Sequence, residues 1–186
     1  MKRSWNDMVN PLLMGEQVRL TAIAERDLSA IVRLYEDSSF LRLYDAKPAA
    51  PRSEVQIREW MKETSHRCFR FAIRPVDGET ILGVVELGDI LWNHRTSWIS
   101  IGLSAEYQGK GFGSETLRLA MGFAFNELNL FRVQLTVFSY NRNAITLYER
   151  LGFIREGTFR QFLNRDQKRH DMFLYGILKD EWLDHV

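Results

Sequence analysis

The sequence predicts a mixed α/β (α+β) fold: one domain with a mostly antiparallel sheet of about seven strands, flanked by helices and built around a central βαβ unit. Three observations predict it. Period-two alternation of apolar and polar residues recurs in short segments, separated by turn residues or by stripes of period 3.6. One strand pattern runs through a glycine cluster into a helical pattern and on to another strand, which is the order of a crossover unit. The length of 186 residues suits one well-buried core and is short for two.

Residues 1–14 read as an N-terminal extension with little periodicity, in which Trp5 and Met8 are large enough to dock on the body, and residues 15–186 as the domain. Val18, Leu20 and Ala22 alternate with Arg19, Thr21 and Ile23 in a first strand. Asp27 then precedes a helical stripe at Leu28, Ile31, Leu34 and Tyr35. Pro48 and Pro51 mark Leu43 to Arg52 as a loop between helices. Ser53 caps the next helix, with Gln56 at the reciprocal position of a capping box and an apolar stripe at Val55, Ile57, Trp60 and Met61.

From Cys68 the pattern is an antiparallel meander: Phe69, Phe71 and Ile73, a turn at Asp77-Gly78, Ile81 to Leu87, then Trp98 to Leu103. After the glycine cluster, Leu117, Ala120, Met121, Ala124 and Leu128 share one helical face that ends near Asn129. Arg132 to Phe138 follows as a strand that buries Val133, Leu135 and Val137, parallel to Trp98–Leu103. A helix spans Asn141 to Leu151, closed by Gly152 where helices favour a left-handed residue. Two strands, roughly Phe153 to Leu163 and Lys168 to Leu178, finish the chain around a polar turn.

Composition excludes several functions. Lys plus Arg number 25 against 24 Asp plus Glu, so no net charge draws the chain to nucleic acid or to an anionic membrane. The one basic run, Arg165 to Arg169, is interrupted by Asp166 and reads as a solvated hairpin tip. No stretch approaches the roughly 20 apolar residues of a membrane span, and Met1 to Asn10 lack the apolar core of a signal peptide, so a soluble cytoplasmic protein is expected. A single cysteine, Cys68, and four scattered histidines give neither an internal disulfide nor metal-ligand spacing, and no metal is expected.

The glycine cluster Gln108-Gly109-Lys110-Gly111-Phe112-Gly113 opens the central helix. A helix N-terminus presents unpaired backbone N–H groups and partial positive charge, and glycine removes the side chains that would block an anion. The cluster is not a Walker loop, because Gly111 rather than a hydroxyl residue follows Lys110. Nor is it a dinucleotide fingerprint, because the next strand closes on Val137-Phe138-Ser139 without an acid. Alone it reads as a phosphate loop of another type or as a plain strand-to-helix turn.

Asn141 and Tyr148 lie seven residues apart, about two turns, so an amide and a phenol share one helix face. At this point the sequence resembles the GNAT N-acetyltransferase superfamily, whose glycine motif is Q/R-x-x-G-x-G/A and whose later motif is N-x-x-A-x-x-L-Y-x-x-x-G-F. The matches are Gln108, Gly111 and Gly113, then Asn141, Ala144, Leu147, Tyr148, Gly152 and Phe153. The resemblance covers roughly Gln17 to Leu178 and is weakest before Arg67. It implies acetyl-CoA as co-substrate, with the pyrophosphate on Gln108, Gly109, Lys110, Gly111, Phe112, Gly113 and Ser114. It also implies pantetheine pairing with Ile101, Gly102 and Leu103, further contacts from Asn141 and Asn143, and Tyr148 as the acid that protonates the leaving thiolate. Asn141 reads equally as a helix N-cap, and the two roles are compatible.

The amine that attacks has to be neutral, because an ammonium with pKa near 10.4 has no lone pair. Glu86, on the strand before Trp98, is the candidate base, with a plain surface carboxylate as the alternative. Trp92, His94 and Trp98 are candidates for the acceptor pocket. Cys68 reads as a small half-buried residue, and His170-Asp171 as a hairpin pair rather than a catalytic one, because adjacent strand residues face opposite sides. The segments Gly83–Leu87, Asn93–Arg95 and Tyr107–Gly111 are similar to bacterial spermidine acetyltransferases and to the group that acetylates ribosomal-protein N-termini. A small primary amine such as a polyamine is therefore the expected acceptor, with Glu36, Asp37, Asp45 and Glu54 as its acidic surroundings. A protein α-amine, an aminoglycoside-type amine, or a non-catalytic acyl-CoA sensor on the same fold is the alternative. The terminal hairpin and N-terminal extension are available to a homodimer.

Overall fold

Seven strands form one sheet in the order β1-β2-β3-β4-β5-β7-β6 in the computed structural model, which describes residues 12–63 and 65–183. The strands are β1 Val18–Thr21, β2 Phe69–Pro75, β3 Gly83–Leu91, β4 Thr96–Leu103, β5 Arg132–Phe138, β6 Ile154–Arg165 and β7 Lys168–Leu178. Every neighbouring pair is antiparallel except β4 with β5. The helices are α1 Leu28–Glu36, α2 Ser38–Tyr44, α3 Glu54–Lys62, α4 Phe112–Gly122, α5 Arg142–Arg150 and α6 Lys179–Leu183. The mixed fold and its central crossover are those expected from the alternation and the periodicity. Trp5 and Met8 lie outside the described residues.

Two hydrophobic cores cover the two faces of the sheet. On one face, Leu117, Ala120 and Met121 of α4 and Ala124 and Phe125 beyond it pack on Val85, Leu87, Ile99, Val133 and Leu135. On the other, Leu28, Ile31, Leu34, Tyr35 and Ile57 of α1 and α3 and Phe40 and Leu41 of α2 pack on Val84. Adjacent residues of a strand point to opposite faces, so Val84 and Val85 serve different cores.

Local chemistry sets the helix ends. Ser53 and Gln56 form the expected reciprocal capping box, with Ser53 N–H donating to Gln56 Oε1 at 2.8 Å and Gln56 N–H to Ser53 Oγ at 3.3 Å. Asn141 Oδ1 accepts from Ala144 N–H at 3.2 Å to cap α5, and Gly152, with φ of 86°, closes it. Glu115, in the first turn of α4, accepts the backbone N–H groups of Glu16, Gln17 and Val18, which ties α4 to the start of β1.

Strand ends shift, with β1 stopping at Thr21 short of Ala22 and Ile23 and β3 running Gly83–Leu91 rather than Ile81 to Leu87, and four further features depart from the sequence reading. Residues 38–44 form a separate helix, α2, capped by Asp37, so the connecting loop is shorter than Leu43 to Arg52. Val55 is exposed rather than part of the α3 stripe. The α4 helix widens over Phe123–Glu127, where Leu128 N–H reaches back five residues to Phe123, and the Phe123 ring meets Phe69 and Phe71. The Arg165–Arg169 tip is docked rather than merely solvated: Arg165 donates to the carbonyls of Asp45 and Lys47 at 3.0 and 2.9 Å, and Asp166 pairs with Arg42.

Candidate active site

The site begins where β4 and β5 part. Their parallel pairing covers only Thr96↔Arg132, Ser97↔Val133 and Trp98↔Gln134. Beyond Trp98 the β4 backbone has no strand partner on that side, and backbone polar groups so placed need another partner. A cavity of about 630 Å³ fills the split, bounded by Ile99 to Leu103 of β4 and by Thr136 and Val137 of β5.

The glycine loop closes one end. Gly109 and Gly111 hold φ of 73° and 89°, left-handed values that cost an ordinary L residue about 1–2 kcal/mol and glycine little. Gly111 is the N-cap of α4, so the first-turn N–H groups face the cavity mouth without a capping side chain. Gln108 Nε2 donates to the Leu103 carbonyl at 3.0 Å and fastens the loop to the end of β4.

Most of the residues expected at the site share this cavity. Ile101, Gly102, Leu103, Gln108, Gly109, Gly111, Gly113, Ser114, Asn141, Asn143, Tyr148 and Glu86 all line it. Lys110 and Phe112 do not: the Lys110 ammonium lies 5.8 Å from the Tyr107 ring centre, and the Phe112 side chain packs against the main core. Trp98 lines the cavity, whereas Trp92 and His94 stay outside it, Trp92 donating to the His66 carbonyl and His94 meeting Asn93.

Tyr148 is buried, its ring against Phe153 and Tyr175, and no protein group hydrogen-bonds its hydroxyl among the described residues. Burial pushes the phenol up to about 12, so it carries its proton throughout the neutral range. Glu86 sits in a polar row that crosses three strands in register, Arg70 on β2, Glu86 on β3 and Ser100 on β4. Its Oε2 lies 2.5 Å from Arg70 Nε, and Arg70 is itself held by the carbonyls of Trp60 and Glu63 at the end of α3. Tyr44 Oη stands 3.3 Å from Ser100 Oγ, and burial raises the Tyr44 phenol as well. Cys68 is half-buried, and burial with Glu86 nearby pushes its thiol up to about 12, so it is not a nucleophilic thiolate at neutral pH.

The acidic residues expected around the acceptor do not line the cavity. Asp37 caps α2, Asp45 pairs with Arg52 at 3.4 Å, and Glu54 pairs with Arg58 at 2.7 Å, so these charges serve the helices. Asp171 likewise serves the hairpin, its Oδ1 accepting from Gln161 N–H at 2.8 Å. Sequence reasoning missed Asp89, Ser100, Thr136 and Arg150, and missed the wall made by Phe40, Leu43 and Tyr44 of α2. The α2 rings lie so close to Gly102 that an added Cβ there would fall 2.8 Å from Tyr44 Cδ2, which accounts for glycine at that strand position. Among the described residues no cluster of His, Cys, Asp or Glu is placed to hold a metal ion, and no helix is long and apolar enough to cross a membrane.

Comparison with known proteins places this geometry among relatives. Residues 17–154 match the family described as Acetyltransferase (GNAT) domain. The chain is 32% identical over 173 residues to an SPbeta prophage-derived uncharacterized N-acetyltransferase of Bacillus subtilis, covering 92% of this chain and 96% of that one. It is 32% identical over 164 residues to a spermidine N(1)-acetyltransferase of Escherichia coli strain K12, covering 87% and 81%. In three dimensions it is similar to the spermidine N-acetyltransferase of Vibrio cholerae crystallised with CoA and spermine. There the TM-score is 0.83 and the identity 27%, over 91% of this chain and 99% of that one.

Proposed function

Because the chain belongs to the GNAT acetyltransferase family, we propose that its cavity transfers the acetyl group of acetyl-CoA to a primary amine of a small polyamine by direct attack. The observation that carries this reading is that one cavity holds the glycine-loop helix terminus, the unpaired edge of β4, the Tyr148 phenol and the Glu86 carboxylate. The spermidine acetyltransferases among its relatives support the acceptor class.

The residues fit the co-substrate's chemistry. The first-turn N–H groups of α4 behind Gly111 suit a pyrophosphate. The β4 edge from Ile101 to Leu103 suits the pantetheine amides, as a strand would. The Asn141 side chain uses its oxygen to cap α5, which leaves its NH₂ for the ligand.

In the reaction the neutral amine nitrogen attacks the thioester carbonyl, the carbon–sulfur bond breaks, and Tyr148 gives its proton to the departing sulfur. The amine's surplus proton leaves through Glu86, directly or by a water. With the phenol at about 12 and a free thiol near 8.5, full transfer is uphill by about 5 kcal/mol for a solvated thiolate. A thiolate expelled beside the buried phenol loses water as well, which raises its own pKa and narrows this gap, so donation accompanies bond cleavage rather than following it.

The test is thiol release from acetyl-CoA with spermine, spermidine, N-terminal peptides and amino acids. Turnover with the polyamines is expected, and a response to peptides alone overturns the acceptor assignment. Glu86→Gln is expected to lower kcat/KM about 10²-fold near neutral pH, with the deficit shrinking toward pH values near 10 as the acceptor loses its proton in solution. A deficit constant across pH means that Glu86 only orients the site.

A further inference from the structure

The cavity has two chemically different ends. From Trp98 to Leu103, β4 runs about 16 Å, with the glycine loop beyond Leu103 and the β3–β4 turn beyond Trp98. At the Trp98 end, β3 breaks its pairing between Gly88 and Leu91, and Asp89 sits there with φ of 48°. The bulge leaves Asp89 exposed between the buried Gly88 and Ile90 and sets it on the cavity wall.

Charge accumulates at this end. Of the two carboxylates that share Arg70, Glu86 lines the cavity, and Asp89 adds a second with no ion-pair partner among the described residues; the cations nearby are Arg150, which also lines the cavity, and Arg67, whose Nε donates to the Ile90 carbonyl at 3.1 Å. The aromatic walls are Trp98, paired in register with Gly88, and Tyr44 of α2, whose hydroxyl meets Ser100 two residues along β4. Carboxylates set among aromatic walls suit an ammonium group on an alkyl chain.

Resting on the acetyltransferase reading above, we propose that Asp89 binds a second ammonium of the acceptor, distal to the nitrogen that is acetylated, and that it makes the enzyme prefer diamines and polyamines to monoamines. Asp89 lies three positions beyond Glu86 along β3, at most about 10 Å of extended chain. An alkyl chain between two amines spans that distance. The two carboxylates then have different tasks. Glu86 faces the nitrogen that must lose a proton, and Asp89 faces one that must keep it.

Asp89→Asn removes the charge and keeps a residue type that tolerates the left-handed backbone, so the bulge is retained. The readout is the ratio of kcat/KM for spermidine to that for hexylamine in wild type and variant, with thermal melts verifying the fold. The ratio is expected to fall about tenfold in Asp89→Asn, in line with the loss of one charge-assisted hydrogen bond. A ratio unchanged within about twofold overturns the role of Asp89 while leaving the acetyltransferase reading intact. Absence of wild-type turnover with any amine overturns that reading and this role with it.

Discussion

Replacing Tyr148 by Phe is expected to lower kcat about 10²-fold or more while leaving the KM for acetyl-CoA close to its wild-type value. The substitution removes one oxygen and nothing else. The ring keeps its packing against Phe153 and Tyr175, and the hydroxyl gives up no protein hydrogen bond among the described residues, so stability stays within about 0.5 kcal/mol. Loss of rate with an unchanged melting temperature therefore isolates the proton. The pH profile adds a sign check. Burial raises the phenol, so its protonated form persists until roughly pH 12, and the wild-type rate is not lost to Tyr148 ionisation below that. If Tyr148→Phe turned over like wild type, another group would have to protonate the thiolate.

Removing either partner of the Arg74–Asp27 pair is expected to cost about 3–5 kcal/mol, the largest stability effect foreseen for a single side chain. Arg74 on β2 is 1% exposed and Asp27, ahead of α1, is 3% exposed. The Arg74 Nη2 to Asp27 Oδ1 distance is 2.6 Å, and the remaining groups are also engaged. Asp27 Oδ2 accepts from Ala24 N–H at 2.7 Å, while Arg74 donates from Nε to Thr21 Oγ1 and from Nη1 to the Glu79 carbonyl. Arg74→Ala strands the Asp27 charge in a dry site, Asp27→Ala leaves Arg74 only the exposed Glu79 carboxylate at 3.7 Å, and in each case Tm should fall by roughly 10 °C. The double variant Asp27→Leu with Arg74→Met should lose much less, because no charge is left unpaired. Denaturant melts of all three decide the matter: equal losses in single and double variants would mean that packing, not charge, governs the site.

Much of this fold was legible in the residues because local signals agreed with tertiary ones. Leu117, Ala120 and Met121 keep helical spacing and are fully buried, and Ser53 with Gln56 forms the box their spacing implied. Asn141, Tyr148 and the glycines fell on one cavity because each sits at an element end that the sequence marks. The second helix was not legible. It is only seven residues long, and its cap Asp37 directly follows the last turn of α1, so no glycine or proline separates the two. Yet it carries Phe40, Leu43 and Tyr44, a whole wall of the site. Asp89 was missed for a related reason. The left-handed position of this bulge is held by an aspartate after Gly88 rather than by the glycine itself, and simple alternation gives no hint that this side chain turns into the cavity. Of the acidic residues expected around the acceptor, Glu36, Asp37, Asp45 and Glu54, none lines the cavity, and the last three are each engaged in their own helix or loop.

The docking of the β6–β7 tip onto the α2 region bears on how the molecule is held together. The cavity wall on α2 is fastened to the far half of the sheet by contacts that span about a hundred residues of chain: Tyr140 Oη to the Arg42 carbonyl, Arg42 to Asp166, and Arg165 to the Asp45 and Lys47 carbonyls. Contacts of such sequence separation carry a large loop-closure cost in folding. Several of them lie at the surface, where an ion pair contributes at most about 1 kcal/mol. The clasp is thus a low-energy seam beside the buried Phe40 and Leu41 of α2, so α2 is held to the far half of the sheet mainly by polar contacts and to its own half by apolar packing.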